Sequence, residues 1–125
     1  MALVRRRLPP LPTLKDILMM YNIRAKKNLS QNFIMDPRLL DRIARTAGDL
    51  RGKHVIEVGP GPGGITRSIL GQGAAMCTVI EKDPRFLPSL ELLNEASGGR
   101  LDIVLGDVLT FNMSGSETTP CPSVI

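Results

Sequence analysis

The stretch that decides the fold is EVGPGPGG, Glu57–Gly64. Ahead of it, HVIEV at His54–Val58 is short, apolar and β-branched, which reads as a strand. Behind it, Ile65–Leu70 continues as a helix. Four glycines and two prolines between them specify a tight loop. Further along, Ala75–Ile80 is a second strand, and Asp83 with Pro84 gives an N-cap and a first-turn proline for a helix burying Phe86, Leu87, Leu90 and Leu93. Asp102–Leu105 is a third strand. Strand, helix, strand, helix, strand is the alternation that builds a parallel sheet through right-handed crossovers, so the fold class is α/β. On the N-terminal side, Thr13 caps a helix with Leu14, Ile17, Leu18 and Tyr21 on one face. Asp36 and Pro37 open another, with Leu39, Leu40, Ile43, Ala44 and Ala47 as its apolar stripe and Gly48 as its stop.

The loop carries the chemistry. Gly59, Gly61 and Gly64 satisfy G-x-G-x-x-G, a dinucleotide fingerprint. Pro60 and Pro62, however, delete two backbone donors that a pyrophosphate needs. Glu57, Gly59, Gly61 and Gly63 also spell E-x-G-x-G-x-G, the first motif of S-adenosylmethionine-dependent methyltransferases. That cofactor carries a sulfonium and an ammonium rather than phosphate, so it wants close backbone approach and a carboxylate such as Glu57. Glu81 stands at the carboxyl end of the second strand, where an acid accepts from two ribose hydroxyls. Asp107, beyond the third strand, is placed to accept from an adenine amino group. Three acids at the carboxyl ends of successive parallel strands converge on one crevice.

The chain has 125 residues, enough for one domain, and 42% of them are hydrophobic, too many for a disordered chain. No apolar run approaches the roughly 20 residues of a membrane span, so no membrane partner is expected. Two cysteines, Cys77 and Cys121, and the lone His54 cannot build a zinc cluster or a disulfide framework. Residues 1–27 carry seven bases and one acid, more positive than the whole chain at +4. Residues 1–12, MALVRRRLPPLP, read as a basic N-terminal or targeting segment, Arg-rich and acid-poor as mitochondrial signals are. Residues 13–113 form the folded part. The polar, turn-rich residues 114–125 read as an irregular tail with no room for further strands, so the sheet is expected to be truncated after about three strands.

Four motifs now support a family resemblance: LSQNFIMD at Leu29–Asp36, VIEVGPGPGGITRSIL at Val55–Leu70, VIEKDPRF at Val79–Phe86 and GDVLTF at Gly106–Phe111. Over about residues 7–113 the chain resembles the ribosomal RNA adenine dimethyltransferases, and RLPPLPTLKDIL ahead of the Q-N-F motif resembles their mitochondrial members. The resemblance implies a Rossmann-like methyltransferase that transfers methyl groups from S-adenosylmethionine to N6 of two adjacent adenosines in a small-subunit rRNA hairpin. It implies that Gln31, Asn32 and Ile34 close over the cofactor, that Gly59 lies under its methionine part and that Glu81 holds the ribose. Lys82 would flank the adenine, while Asp107 and Val108 fix its edge. It further implies a monomer in the mitochondrial matrix, with the mitochondrial transcription machinery as a second partner.

One family feature is missing. None of the ten prolines is followed by an aromatic residue, so the catalytic Asn/Asp-x-Pro-aromatic tetrapeptide does not occur and no catalytic residue is assigned. Two other readings stand beside this one. A non-catalytic module could bind RNA or transcription machinery through residues 5–27. A nicotinamide dehydrogenase would use the same glycines, against Pro60 and Pro62.

Overall fold

The computed structural model describes residues 8–24, 35–110 and 123–124. The elements run α1 (Leu14–Met20), α2 (Pro37–Arg45), β1 (His54–Val58), α3 (Gly64–Gly71), β2 (Met76–Glu81), α4 (Leu87–Ala96), β3 (Leu101–Leu105) and β4 (Ser123–Val124). The sheet is parallel throughout, in the order β3-β2-β1-β4. Its first three strands and two crossover helices follow the alternation read from the sequence.

The helix starts form by local chemistry. The Thr13 hydroxyl accepts from the Asp16 amide at 3.1 Å, and the Asp36 carboxylate accepts from the Arg38 amide at 3.0 Å, each satisfying a donor that the first helical turn leaves open. Asp83 accepts likewise from the Arg85 amide at 3.0 Å. The element it opens is a 3₁₀ turn, Pro84–Phe86, and α4 begins only at Leu87. Pro88 explains the restart: proline has no N–H and fits only a first turn, so the α-helix must begin again beside it.

The core lies between one face of the sheet and α3 and α4. Val55, Cys77, Val79 and Leu101 face Ile69, Leu70, Phe86, Leu90 and Leu93, all buried. On α2 only Leu40 and Ala44 are buried; Leu39, read as part of the stripe, is 41% exposed, because Leu40 already fills the contact with α3 at Gly64. The sequence-predicted tail also needs correction. Ser123–Val124 form β4, paired with Val55 and Ile56 of β1. A strand without a neighbour presents a row of unmade backbone hydrogen bonds, and even two extended residues satisfy part of that row. Among the described residues, no helix is long and apolar enough to cross a membrane.

Candidate cofactor site

The register brings three strand ends level. Val58 pairs with Ile80, and Glu81 pairs with Leu105. Just beyond, the Gly59 amide donates to the Ile80 carbonyl at 2.9 Å and the Gly106 amide to the Glu81 carbonyl at 2.8 Å. The loops after β1, β2 and β3 therefore leave side by side from one edge, where a parallel sheet forms its ligand crevice.

Two glycines of the first loop serve different ends. Gly59 has φ +67°, and a Cβ there would meet nothing within 4 Å, so the loop keeps open space above it. Gly63 has φ +95°, and its Cβ would stand 2.6 Å from Leu93 Cδ1, so here the missing side chain lets the loop press onto α4. Between them the Pro60 carbonyl accepts from the Gly63 amide at 3.0 Å, closing a turn whose prolines are both buried.

Glu81 ties the crevice walls together. One carboxylate oxygen accepts from the Gly61 amide at 3.0 Å, and the other from the amides of Lys82 at 2.8 Å and Asp83 at 3.2 Å. Three backbone donors thus compensate a carboxylate that is only 6% exposed. The Lys82 side chain is exposed at the rim. Asp107 is exposed at the end of β3, where Oδ1 accepts from the Leu109 amide at 3.0 Å and opens the 3₁₀ turn Val108–Thr110; Val108 is half-buried.

Glu57 departs from its reading. Instead of offering a carboxylate to a charged ligand, it is 3% exposed and accepts from the Thr66 hydroxyl of α3 at 2.5 Å. Burial pushes its carboxyl up to about 7; the Thr66 hydrogen bond opposes the rise and the Glu81 charge adds to it. It fastens α3 to β1. Cys77 is similarly withdrawn, its thiol buried in the core and raised by that burial.

Gln31, Asn32 and Ile34 lie outside the described residues. The chain just before them is fixed by Arg85, which sequence reasoning missed. Its guanidinium pairs with Asp83 at 2.8 Å and donates to the Arg24 carbonyl at 2.8 Å, while Ile23 is buried in the core. Arg24 thus stands beside the loop after β2. The arginine two places after a capping aspartate was a visible signal for the Asp83 pair. Its second partner, 61 positions away, left no trace in the sequence.

Residues 22–119 match the family described as ribosomal RNA adenine dimethylase. The chain belongs to this family. Dimethyladenosine transferase 1, mitochondrial, of Xenopus laevis is 57% identical over 112 residues, 90% of this chain and 33% of that protein. Ribosomal RNA small subunit methyltransferase A of Paracoccus denitrificans is 48% identical over 110 residues, 88% of this chain and 39% of that protein. Among solved structures, the 23S rRNA methyltransferase ErmE superposes with TM-score 0.55 and 38% identity over 65% of this chain and 32% of that one. This member of the rRNA adenine dimethylase family therefore spans about a third of the length of the curated relatives it matches. The Rossmann-like methyltransferase fold read from its glycine loop is the fold it has.

Proposed function

We propose that this chain carries the S-adenosylmethionine-binding part of an rRNA adenine N6-dimethyltransferase. One observation carries the reading: three parallel strands end level, with the open space of Gly59, the Glu81 carboxylate and Asp107 along a single edge. The chemistry of these groups fits the cofactor. Gly59 leaves room for its methionine part. A carboxylate has about four lone-pair positions, so Glu81 keeps capacity for a ribose hydroxyl beyond its three backbone donors. Asp107 and Val108 stand where an adenine edge would be read, with Lys82 beside it. Gln31, Asn32 and Ile34 would close the site from the N-terminal side. When bound, the cofactor supplies an electrophilic methyl group on its sulfonium.

The target proposed is N6 of two adjacent adenosines in a small-subunit rRNA hairpin, met by a monomer in the mitochondrial matrix. The mitochondrial names of relatives and the Arg-rich residues 1–12 support that address. Since the 125 residues contain no Asn/Asp-x-Pro-aromatic tetrapeptide to hold a flipped adenine, they are expected to bind cofactor without transferring methyl groups. Calorimetric titration of S-adenosylhomocysteine, with circular dichroism to verify folding, tests the first half, and labelled-methyl transfer to an RNA hairpin tests the second. A folded chain that ignores S-adenosylhomocysteine would remove the site. Methyl transfer by this chain alone would place the catalytic groups within it.

A further inference from the structure

A second concavity runs along α3. It is a groove of about 680 Å³ between α1, α2 and α3, running from Gly64, just after the glycine loop, to Gln72. Leu11, Leu14 and Leu40 give it an apolar floor, and Lys15, Arg45 and Arg67 line it with positive charge. Among the described residues none of these three bases makes an ion pair. Arg67 is the unusual one. Its side chain is half-buried and, among the described residues, its Nη1 donates only to the neutral Pro12 carbonyl and its buried Nε has no acceptor. Burial lowers its pKa, as expected of a guanidinium stripped of water and given no counter-charge. Among the described residues the one acid lining the groove, Asp41, is partly occupied, one oxygen accepting from the Ser68 hydroxyl at 2.6 Å.

Uncompensated guanidinium groups above an apolar floor suit a phosphate ester whose organic part also needs cover. A bare phosphate would leave the leucines wet and most of the volume empty, whereas a nucleotide unit would meet both linings. The positive surface continues along α2, where Arg38 and Arg42 are exposed beside Arg45. The groove also begins next to the loop proposed to hold the cofactor. We infer that the groove between α1, α2 and α3 seats the sugar-phosphate backbone of an RNA strand, with Arg67, Arg45 and Lys15 facing phosphates and the leucines facing sugar. The choice of RNA among phosphate esters rests on the proposed function; the groove and its unpaired charge do not.

The test is fluorescence anisotropy of a labelled RNA hairpin with the full chain, between about 50 and 200 mM KCl. Lys15 and Arg45 are exposed, so Lys15→Gln/Arg45→Gln should leave the fold intact. This double variant should lose on the order of tenfold in affinity and flatten the salt dependence by about 1.4 in log–log slope, the share of two phosphate contacts. Arg67→Lys, which keeps the charge but not the fork of donors, should fall between. S-adenosylhomocysteine binding should stay unchanged in all three proteins, which separates failure here from failure of the cofactor site. Wild-type RNA affinity and slope in the folded double variant would overturn the inference. So would a chain whose melting temperature inorganic phosphate raises through Arg67 while RNA binding ignores phosphate as a competitor, since the groove would then be a small-anion site.

Discussion

Replacing Glu57 with glutamine tests how the strand-end carboxylate is used. In the folded chain its carboxyl is raised from 4.5 to about 7, first by burial, with the Thr66 hydrogen bond opposing and the Glu81 charge assisting. A raised acid favours the protonated form in the folded state. Its contribution to stability is thus complete below pH 4.5 and is lost as pH rises to about 7. At about 1.4 kcal/mol per pH unit, that interval amounts to about 3 kcal/mol. Glutamine keeps the shape and an oxygen for the Thr66 hydroxyl but cannot ionise. Its extra N–H pair finds no established acceptor, a pH-independent cost of roughly 1–3 kcal/mol. Glu57→Gln should therefore be the less stable protein at pH 5, and the difference between the two should move by about 3 kcal/mol in the variant's favour by pH 8. Urea unfolding followed by circular dichroism at half-unit steps reads this directly, and the difference cancels every other titrating group. Parallel stability curves would refute the reasoning, because they would mean that Glu57 ionises as readily folded as unfolded.

Three further outcomes are expected. Glu81→Ala should weaken S-adenosylhomocysteine binding by about 1–3 kcal/mol, since a buried hydroxyl loses its acceptor and the Gly61 amide is released; equal calorimetric affinities would contradict the ribose assignment. Gly59→Ala should cost about 1 kcal/mol of stability for its left-handed backbone yet reduce cofactor affinity more than tenfold, because its methyl stands in the open space; unchanged affinity would empty that space of its proposed ligand. Gly63→Ala should destabilise by about 2–3 kcal/mol, combining the same strain with the approach to Leu93, and a loss below about 0.5 kcal/mol in urea unfolding would show that the loop does not press on α4.

Much of the fold was legible because its signals are local. The caps Thr13, Asp36 and Asp83 all accept from the backbone donors that their positions imply. The apolar run of β2 marks a strand buried on both faces, as a central parallel strand must be, whereas β3 at the sheet edge keeps Asp102 and Leu105 exposed. What was not legible depends on distant partners. Leu39 and Leu40 are equally apolar, and only the docking of α2 on α3 decides that Leu40 is covered. Arg67 with Pro12 and Arg85 with Arg24 meet across 55 and 61 positions, so no window of sequence contains both members. Ser123–Val124 become a strand because β1 has an edge to satisfy, a property of the assembled sheet.

The spacing of glycines and acids was enough to place the loops after the strands. Glycines at 59, 61 and 63 and acids at 57, 81 and 107 have a spacing that only strand ends and their loops accommodate. What each acid bonds to was decided by tertiary structure. Glu57 pairs with Val79, two residues short of Glu81 along the same sheet face, so it lies under α3 and finds Thr66. Glu81 pairs with Leu105 at the last rung, so its carboxylate reaches the amides of the loops above. A difference of two residues in register, about 7 Å along a strand, separates a carboxylate that fastens α3 from one that the loop amides hold, although both are buried. Register is fixed by which strands pair, and that exists only once the chain has folded.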